Sequence, residues 1–441
     1  MLGQLFLTNR FFYVLGGLVG LFGLSFALPV LFPIVQTALI VYLGFVVADT
    51  YRIFRPDVRV GAERRVPSVL SLSDPNAIEL LMVNASPLDL RVSVIDELPF
   101  QFQKRDFIRE LTLEARSEEQ IIYELRPLER GNYTFGNINL FLWSPAGFAR
   151  RRVVLAAHEE VPVYPSIIQM KQLELRALSR LSIQPGIKKM RRIGHSYEFE
   201  QIKNYVRGDD YRSINWKATG RHARLMVNQY EDERSQQIYS LIDKSRAMRM
   251  PFKGLSLMDY AINATLAISN IALLKHDRAG LLSFSDKMGS IIKADHRPDQ
   301  LRKILNALYR ERERPLESNF ELLYQATRRL ISRRSLLLLY TNFESTYALD
   351  RVLPLLRRIN TRHLLVVIFF ENTEIEDFVF ESADSIQQIY QQTTAQQFVA
   401  EKRKMVYTLR QYGIQAILTR PEELSINTVN KYLELKARGL I

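Results

Sequence analysis

The sequence contains no cysteine, which excludes disulfides, thiol nucleophiles and zinc–thiolate centres. Histidine is nearly as scarce, with six scattered over 441 residues. No His-x-x-x-His or Glu-x-x-His pair is present, so a zinc or di-iron site has no ligand set. Charge is missing altogether between Phe11 and Ala48. At about 1.5 Å per residue that run is too long for a single helix through about 30 Å of hydrocarbon. Pro29 and Pro33 divide it, which predicts a transmembrane helical hairpin turning near residues 28–33. A cleaved signal peptide is excluded, because the run is about twice too long and lacks a small-residue cleavage site followed by a polar region. Gly16 and Gly20 lie four apart, a spacing that lets two membrane helices approach closely; glycine's tolerance in lipid accounts for them equally well.

What is abundant is positive charge. Sixty Lys and Arg residues against 47 Asp and Glu give a formal net charge of +13, which favours acidic partners: anionic lipid, nucleic acid or an acidic protein surface. Arg10 precedes the apolar run, and Arg52, Arg55, Arg59, Arg64 and Arg65 follow it. The positive-inside rule therefore predicts that both ends of the hairpin face the cytoplasm.

Four stretches follow from the patterning: a membrane anchor at 1–56, a β domain at 57–166, a basic segment at 167–235 and an α/β domain at 236–441. In the second, short alternating runs (78–83, 90–95, 119–125 and 133–143) are separated by Asn, Pro, Asp and Gly, which predicts a β-sandwich of immunoglobulin-like size. One irregularity at Gly136 reads as a bulge. In the fourth, buried-strand runs at 238–242, 279–284, 335–340, 364–370 and 414–418 alternate with helical stretches. Ser256 and Asp259 form a capping pair opening one of these. The alternation predicts a doubly wound parallel sheet with helices on both faces. No Gly-rich phosphate loop follows its first strand, so a dinucleotide or P-loop site has no support.

The most specific stretch runs from Gly194 to Arg224. It interleaves charged and aromatic residues around a Gly208-Asp209-Asp210 turn. Asp209 and Asp210 suit turn formation better than shared acid–base chemistry, because adjacent strand residues face opposite ways. No nucleophile, base and orienting group come together in the sequence, so no catalytic residues are assigned. Lys188, Lys189, Arg191, Arg192, Lys203, Arg207, Arg212, Lys217, Arg221 and Arg224 make the segment basic. Three readings stay open: a solvated strip balanced by Glu198, Glu200, Asp209 and Asp210, a protein-docking strip, or a site for nucleic acid or lipid headgroups. Tyr197, Phe199, Tyr205, Tyr211 and Trp216 either stack bases or pack the segment onto its own domain.

The run Glu198, Phe199, Lys203, Tyr205, Gly208, Asp209, Asp210, Arg212, Ile214, Trp216 and Lys217 resembles the signature of the domain-of-unknown-function-58 family of bacterial membrane proteins. The resemblance extends to Arg130-Gly131-x-Tyr133, Ser144-Pro145-x-Gly147-Phe148 and the closing Tyr432-Leu433-x-x-Lys436-x-Arg438-Gly439. It implies a multidomain protein of the bacterial inner membrane: hairpin, β-sandwich and von Willebrand factor A-like α/β domain, with the soluble parts in the cytoplasm. It also implies a non-enzymatic adaptor for a MoxR-type AAA+ ATPase, acting on membrane or secreted client proteins. Glu198, Lys203, Arg207, Asp209, Asp210, Arg212, Trp216 and Lys217 are its candidate partner-binding residues. The alternative is a membrane-tethered binder of anionic lipid or nucleic acid. Asp243-Lys244-Ser245-Arg246-Ala247 resembles the Asp-x-Ser-x-Ser metal motif of von Willebrand factor A domains, with Ser318 and Asn342 at the remaining ligand positions. Ala247 cannot ligate, Asn342 lacks a charge, and Lys244 and Arg246 add positive charge. Asp243, Ser245, Ser318 and Asn342 are therefore expected to be a degenerate, metal-free site, with magnesium the cation it would otherwise take. No cofactor is expected.

Overall fold

A computed structural model describes residues 4–104, 107–182, 198–206, 211–222, 224–231, 235–381 and 385–441. The chain forms two compact units, Met1–Ile167 and Ile168–Ile441.

The first unit begins with strand β1 (Leu5–Leu7) and helices α1 (Asn9–Ser25) and α2 (Leu31–Ile53). The break between the helices falls at the predicted proline turn. Helix α2, with 23 residues and a mean hydropathy of 2.2, is long and apolar enough to cross a membrane. Phe12, Leu21, Ile34 and Val41 are exposed on the two helices, a surface that suits lipid better than water.

Ten strands follow: β2 (Val60–Arg65), β3 (Leu70–Ser71), β4 (Asn76–Asn84), β5 (Leu90–Asp96), β6 (Ile108–Leu113), β7 (Glu118–Leu125), β8 (Gly131–Phe135), β9 (Ile138–Trp143), β10 (Ala149–Leu155) and β11 (Glu159–Tyr164). They form sheets in the orders β1-β10-β9-β5-β6, β2-β4-β7 and β3-β11-β8. Alternation sets the faces: Ile78, Leu80 and Met82 of β4 are fully buried, with more accessible residues between them. The turn at residues 144–148 ties the hairpin to these strands. Thr8 Oγ1 donates to the Gly147 carbonyl at 2.6 Å, and the Ala146 N–H donates to Asp49 Oδ1 at 3.0 Å. Phe148 packs edge-on against Tyr42 and Phe45.

Two expectations are corrected in this unit. The run 133–143 is two strands rather than one bulged strand, because β8 and β9 belong to different sheets. The chain crosses between them at Gly136, whose N–H donates to the Glu97 carbonyl at 2.8 Å. A Cβ there would lie 2.5 Å from Glu97 Oε2, so the glycine permits a close approach. Arg64 is no flanking surface charge: its side chain is buried against Asp96, with the Ala157 and Gly136 carbonyls as further acceptors.

The second unit holds α3 (Ile167–Ser182), β12 (Glu198–Asn204), α4 (Trp216–His222), β13 (Met226–Glu231), β14 (Gln237–Asp243), β15 (Pro251–Phe252), β16 (Leu255–Ser256), α5 (Leu257–Leu274), β17 (Arg278–Phe284) and β18 (Met288–Asp295). It continues with α6 (Gln300–Arg310), α7 (Phe320–Leu330), β19 (Leu336–Tyr340), α8 (Thr346–Arg362), β20 (Leu364–Phe370), α9 (Thr373–Phe380), α10 (Ile386–Gln411), β21 (Gln415–Thr419) and α11 (Leu424–Ala437). Six strands make one sheet in the order β18-β17-β14-β19-β20-β21. It is parallel except for β18, which runs antiparallel to β17. Beyond the first residues of β14 and β20, the strands β14, β19 and β20 are buried, as their continuous apolar runs require. Helix α5 is also apolar enough to span a membrane, yet 78% of that stretch is buried, so it is a core helix. Ser256 and Asp259 close the capping box at its start.

Candidate functional site

Strand β14 delivers Asp243 to the carboxyl end of the sheet, where α/β folds place their ligands. Its carboxylate is buried and fully engaged. Oδ1 accepts from the Ser245 N–H at 2.9 Å and from Ser318 Oγ at 2.5 Å, and Oδ2 accepts from Thr341 Oγ1 at 2.6 Å. Burial pushes its pKa up against the bonds from Ser318, Thr341 and Ser245. Three loops are thereby drawn together: the end of β14, the segment before α7 and the end of β19. The structure places Ser245, through its backbone N–H, and Ser318, through its hydroxyl, against Asp243. Thr341 was missed; its only signal was adjacency to Asn342.

Asn342 does not join Asp243. Its Nδ2 reaches the Ala247 carbonyl at 3.4 Å, and its Oδ1 accepts from Lys402 Nζ at 2.7 Å. Lys402 comes from α10 and donates also to the Phe343 carbonyl at 2.5 Å. Burial lowers its pKa to about 8. Nothing in the sequence singles out this lysine, one of two in a long polar helix. It borders a largely apolar cleft of about 210 Å³, walled by Phe252, Ile375, Phe398 and Val399, with Glu344 and Glu371 at its side. Burial and the neighbouring Glu376 raise the Glu371 pKa.

The donor set does not fit magnesium, which takes about six hard oxygens in octahedral array. Ala247 offers no side-chain oxygen, both Asp243 oxygens accept from protein hydroxyls, and an ammonium occupies the Asn342 amide oxygen. Among the described residues no cluster of three or more His, Asp or Glu could hold a metal. The expected positive charge of Lys244 is largely cancelled, because it pairs with buried Glu311 at 2.8 Å. Burial raises the Glu311 pKa, but bonds from Lys244, Ser283 and Ser290 outweigh it and hold the carboxyl below its usual range. Arg246 pairs at the surface with Glu317 at 3.1 Å.

Among the described residues of the basic segment, β12 and β13 pair as a hairpin with α4 between them in the chain. Asn215 starts α4 by accepting the Ala218 N–H at 2.9 Å, and its Nδ2 donates to Asn228 Oδ1 at 2.8 Å. Thr219 Oγ1 accepts the Met226 N–H at 3.0 Å. Glu198 and Lys203 lie on β12, and Arg212 lies in a short 3₁₀ turn at Tyr211–Ser213. Arg207, Asp209 and Asp210 lie outside the described residues. Trp216 and Lys217 open α4 and are exposed, Trp216 by 72% and nearby Tyr211 by 69%. Packing of the segment onto its own domain therefore does not account for these two aromatic rings.

The class so defined is a two-unit protein with an apolar N-terminal hairpin, a strand-rich unit and a largely parallel α/β unit. Residues 201–376 match the family described as "Protein of unknown function DUF58", the family that the sequence resembles. The chain is 22% identical over 161 residues to the uncharacterized protein YeaD of Bacillus subtilis, a match spanning 36% of this chain and 38% of that protein. Solved structures align only loosely. The CARDB domain of a Pyrococcus furiosus protein, in complex with di-metal ions, shares 14% identity over 24% of this chain and 88% of its own, at a TM-score of 0.17. Proximal thread matrix protein 1 of the mussel byssus shares 10% identity over 46% of this chain and 45% of its own, at a TM-score of 0.26.

Proposed function

We propose that this chain is a membrane-anchored, non-enzymatic adaptor that couples a MoxR-type AAA+ ATPase to membrane or secreted client proteins. Helices α1 and α2 anchor it in a bacterial inner membrane, with both units in the cytoplasm. The first unit is read as a β-sandwich spacer and the six-stranded sheet as a von Willebrand factor A-like platform. The parallel order β17-β14-β19-β20-β21, with Asp243 at the end of β14, supports that last reading. The observation that carries the proposal is the exposure of Trp216 beside Lys217 within the family-matched segment. Exposed tryptophan beside cationic residues is what binding hot spots are made of. Asp243, with its oxygens committed to Ser318, Thr341 and Ser245, acts here as a loop organiser rather than a catalytic or metal-holding group.

The test is a detergent pull-down from native membranes with mass spectrometry. It compares the wild type with Trp216→Ala and with the triple reversal Arg207→Glu, Arg212→Glu, Lys217→Glu. An AAA+ ATPase recovered with the wild type and lost from both variants is the expected result. Equal recovery in all three overturns the surface assignment. Recovery of only lipid or nucleic acid, released by salt, favours the electrostatic binder that the net charge of +13 allows.

A further inference from the structure

The two edges of the six-stranded sheet are built differently. Strand β18 pairs with β17 through two register shifts, the kind of irregularity that blunts an edge against further pairing. Strand β21 pairs with β20 in unbroken register from Gln415 to Thr419. The Glu371 N–H donates to the Thr419 carbonyl at 3.0 Å, which sets the phase of the ladder. Gln415, Ile417 and Thr419 aim their backbone groups at β20; Ala416 and Leu418 aim theirs outward. Among the described residues no strand pairs with that outer side.

This unpaired edge lies at the bottom of a groove of about 540 Å³, where Leu418 is half-buried and Ala416 is 5% exposed, so a partner strand would reach it by entering the groove. One wall is α10, through Arg403, Val406 and Arg410; the other is α11, through Asn427, Lys431 and Glu434. An added strand of five residues, about 17 Å long at about 3.3 Å per residue, matches the length of β21. Its side chains would alternate between the two walls. Three cations face one carboxylate here. Lys431 takes Glu434 at 3.1 Å and Arg403 reaches Glu376 only at 3.7 Å. Arg410 has no ion-pair partner among the described residues.

We propose that the β21 groove binds an extended acidic segment of a partner protein, added to the sheet as a seventh strand with carboxylates toward Arg403 and Arg410. Backbone pairing with Ala416 and Leu418 supplies the affinity, and the arginines select charge. The site is separate from the Trp216 surface and stands or falls independently of the adaptor reading.

The test uses the full chain in detergent and two labelled peptides, alternating Val-Glu and alternating Val-Lys, each six residues long. Fluorescence anisotropy should show binding of the acidic peptide alone. Leu418→Pro deletes an outward N–H while leaving the bonds to β20 in place, and should weaken binding about tenfold or more. The pair Arg403→Glu and Arg410→Glu should do the same. In the wild type, the peptide should slow hydrogen exchange at the Ala416 and Leu418 amides, a readout that holds even if the proline variant does not fold. Absence of binding at millimolar acidic peptide overturns the proposal. So does binding unchanged in the arginine variant, or protection that falls elsewhere. A concentration-dependent dimer abolished by Leu418→Pro would assign the groove to a second copy instead.

Discussion

Replacing Asp96 with alanine strips the acceptor from a deeply buried ion pair of the first unit. The Arg64 and Asp96 side chains are 1% and 0% exposed. Asp96 accepts from Arg64 Nε at 3.1 Å, from Arg64 Nη2 and from the Tyr123 hydroxyl. In Asp96→Ala the guanidinium keeps the Ala157 carbonyl at 2.8 Å and the Gly136 carbonyl at 3.0 Å, and the Tyr123 hydroxyl loses its carboxylate acceptor. Removing one member of a buried pair costs about 3–5 kcal/mol, and an unsatisfied hydroxyl adds about 1 kcal/mol. The expected loss is therefore about 4–6 kcal/mol. The double apolar replacement Arg64→Met with Asp96→Leu leaves no charge stranded and should lie within about 1 kcal/mol of the parent. The two tryptophans make this measurable. Trp143 lies in the first unit, donating to Ser93 Oγ at 2.9 Å with the Arg150 guanidinium 3.5 Å from its ring centre. In a Trp216→Phe background its fluorescence reports urea unfolding of that unit alone. An Asp96→Ala variant within about 1 kcal/mol of its parent refutes the reasoning. So does a double variant as damaged as the single one.

Lys402 makes a pH prediction for the second unit. Its pKa falls from 10.5 to about 8 on folding. Between those values the unfolded chain holds a proton that the folded chain has released, so stability rises with pH across that window. Relative to Lys402→Met the gain should reach about 3 kcal/mol, read from urea unfolding by circular dichroism; parallel pH profiles would exclude a desolvated ammonium. Asp243→Ala removes the acceptor from Ser318, Thr341 and the Ser245 N–H, and should cost about 2 kcal/mol at neutral pH. Magnesium should leave the melting temperature of the wild type unchanged. A magnesium-dependent rise that Asp243→Ala abolishes would show that the donor set does hold the cation.

Local patterning made much of the architecture legible. The uncharged run with Pro29 and Pro33 defines the two helices, and the apolar runs from Ile238 to Leu418 place five of the six strands of the main sheet. The capping pair Ser256 and Asp259 forms as its spacing requires. Strand β18 was missed because its residues are only partly buried and Gly289, Ser290 and Lys293 interrupt its apolar residues, so no apolar run marks it. The short, acidic α9 carries no long periodic stripe. Within the candidate site, Asp243 and Ser245 were readable because a motif fixes their spacing, and Ser318 only through the later-loop position that the resemblance supplies. Thr341 and Lys402 were not, since each acquires its role from residues 98 and 60 positions away.

The sequence by itself determined which segments are apolar, where they break and which family signature they carry, because these depend on neighbours along the chain. Tertiary structure alone decided how charges pair. It buried Arg64 against Asp96 instead of leaving it as a flanking charge, turned Lys244 to Glu311, and set Lys402 on Asn342. It also left Trp216 in solvent and, among the described residues, one regular sheet edge unpaired between α10 and α11. A side chain's charge is written in the sequence, but its desolvation and its partner depend on which distant residues the fold brings within about 3 Å.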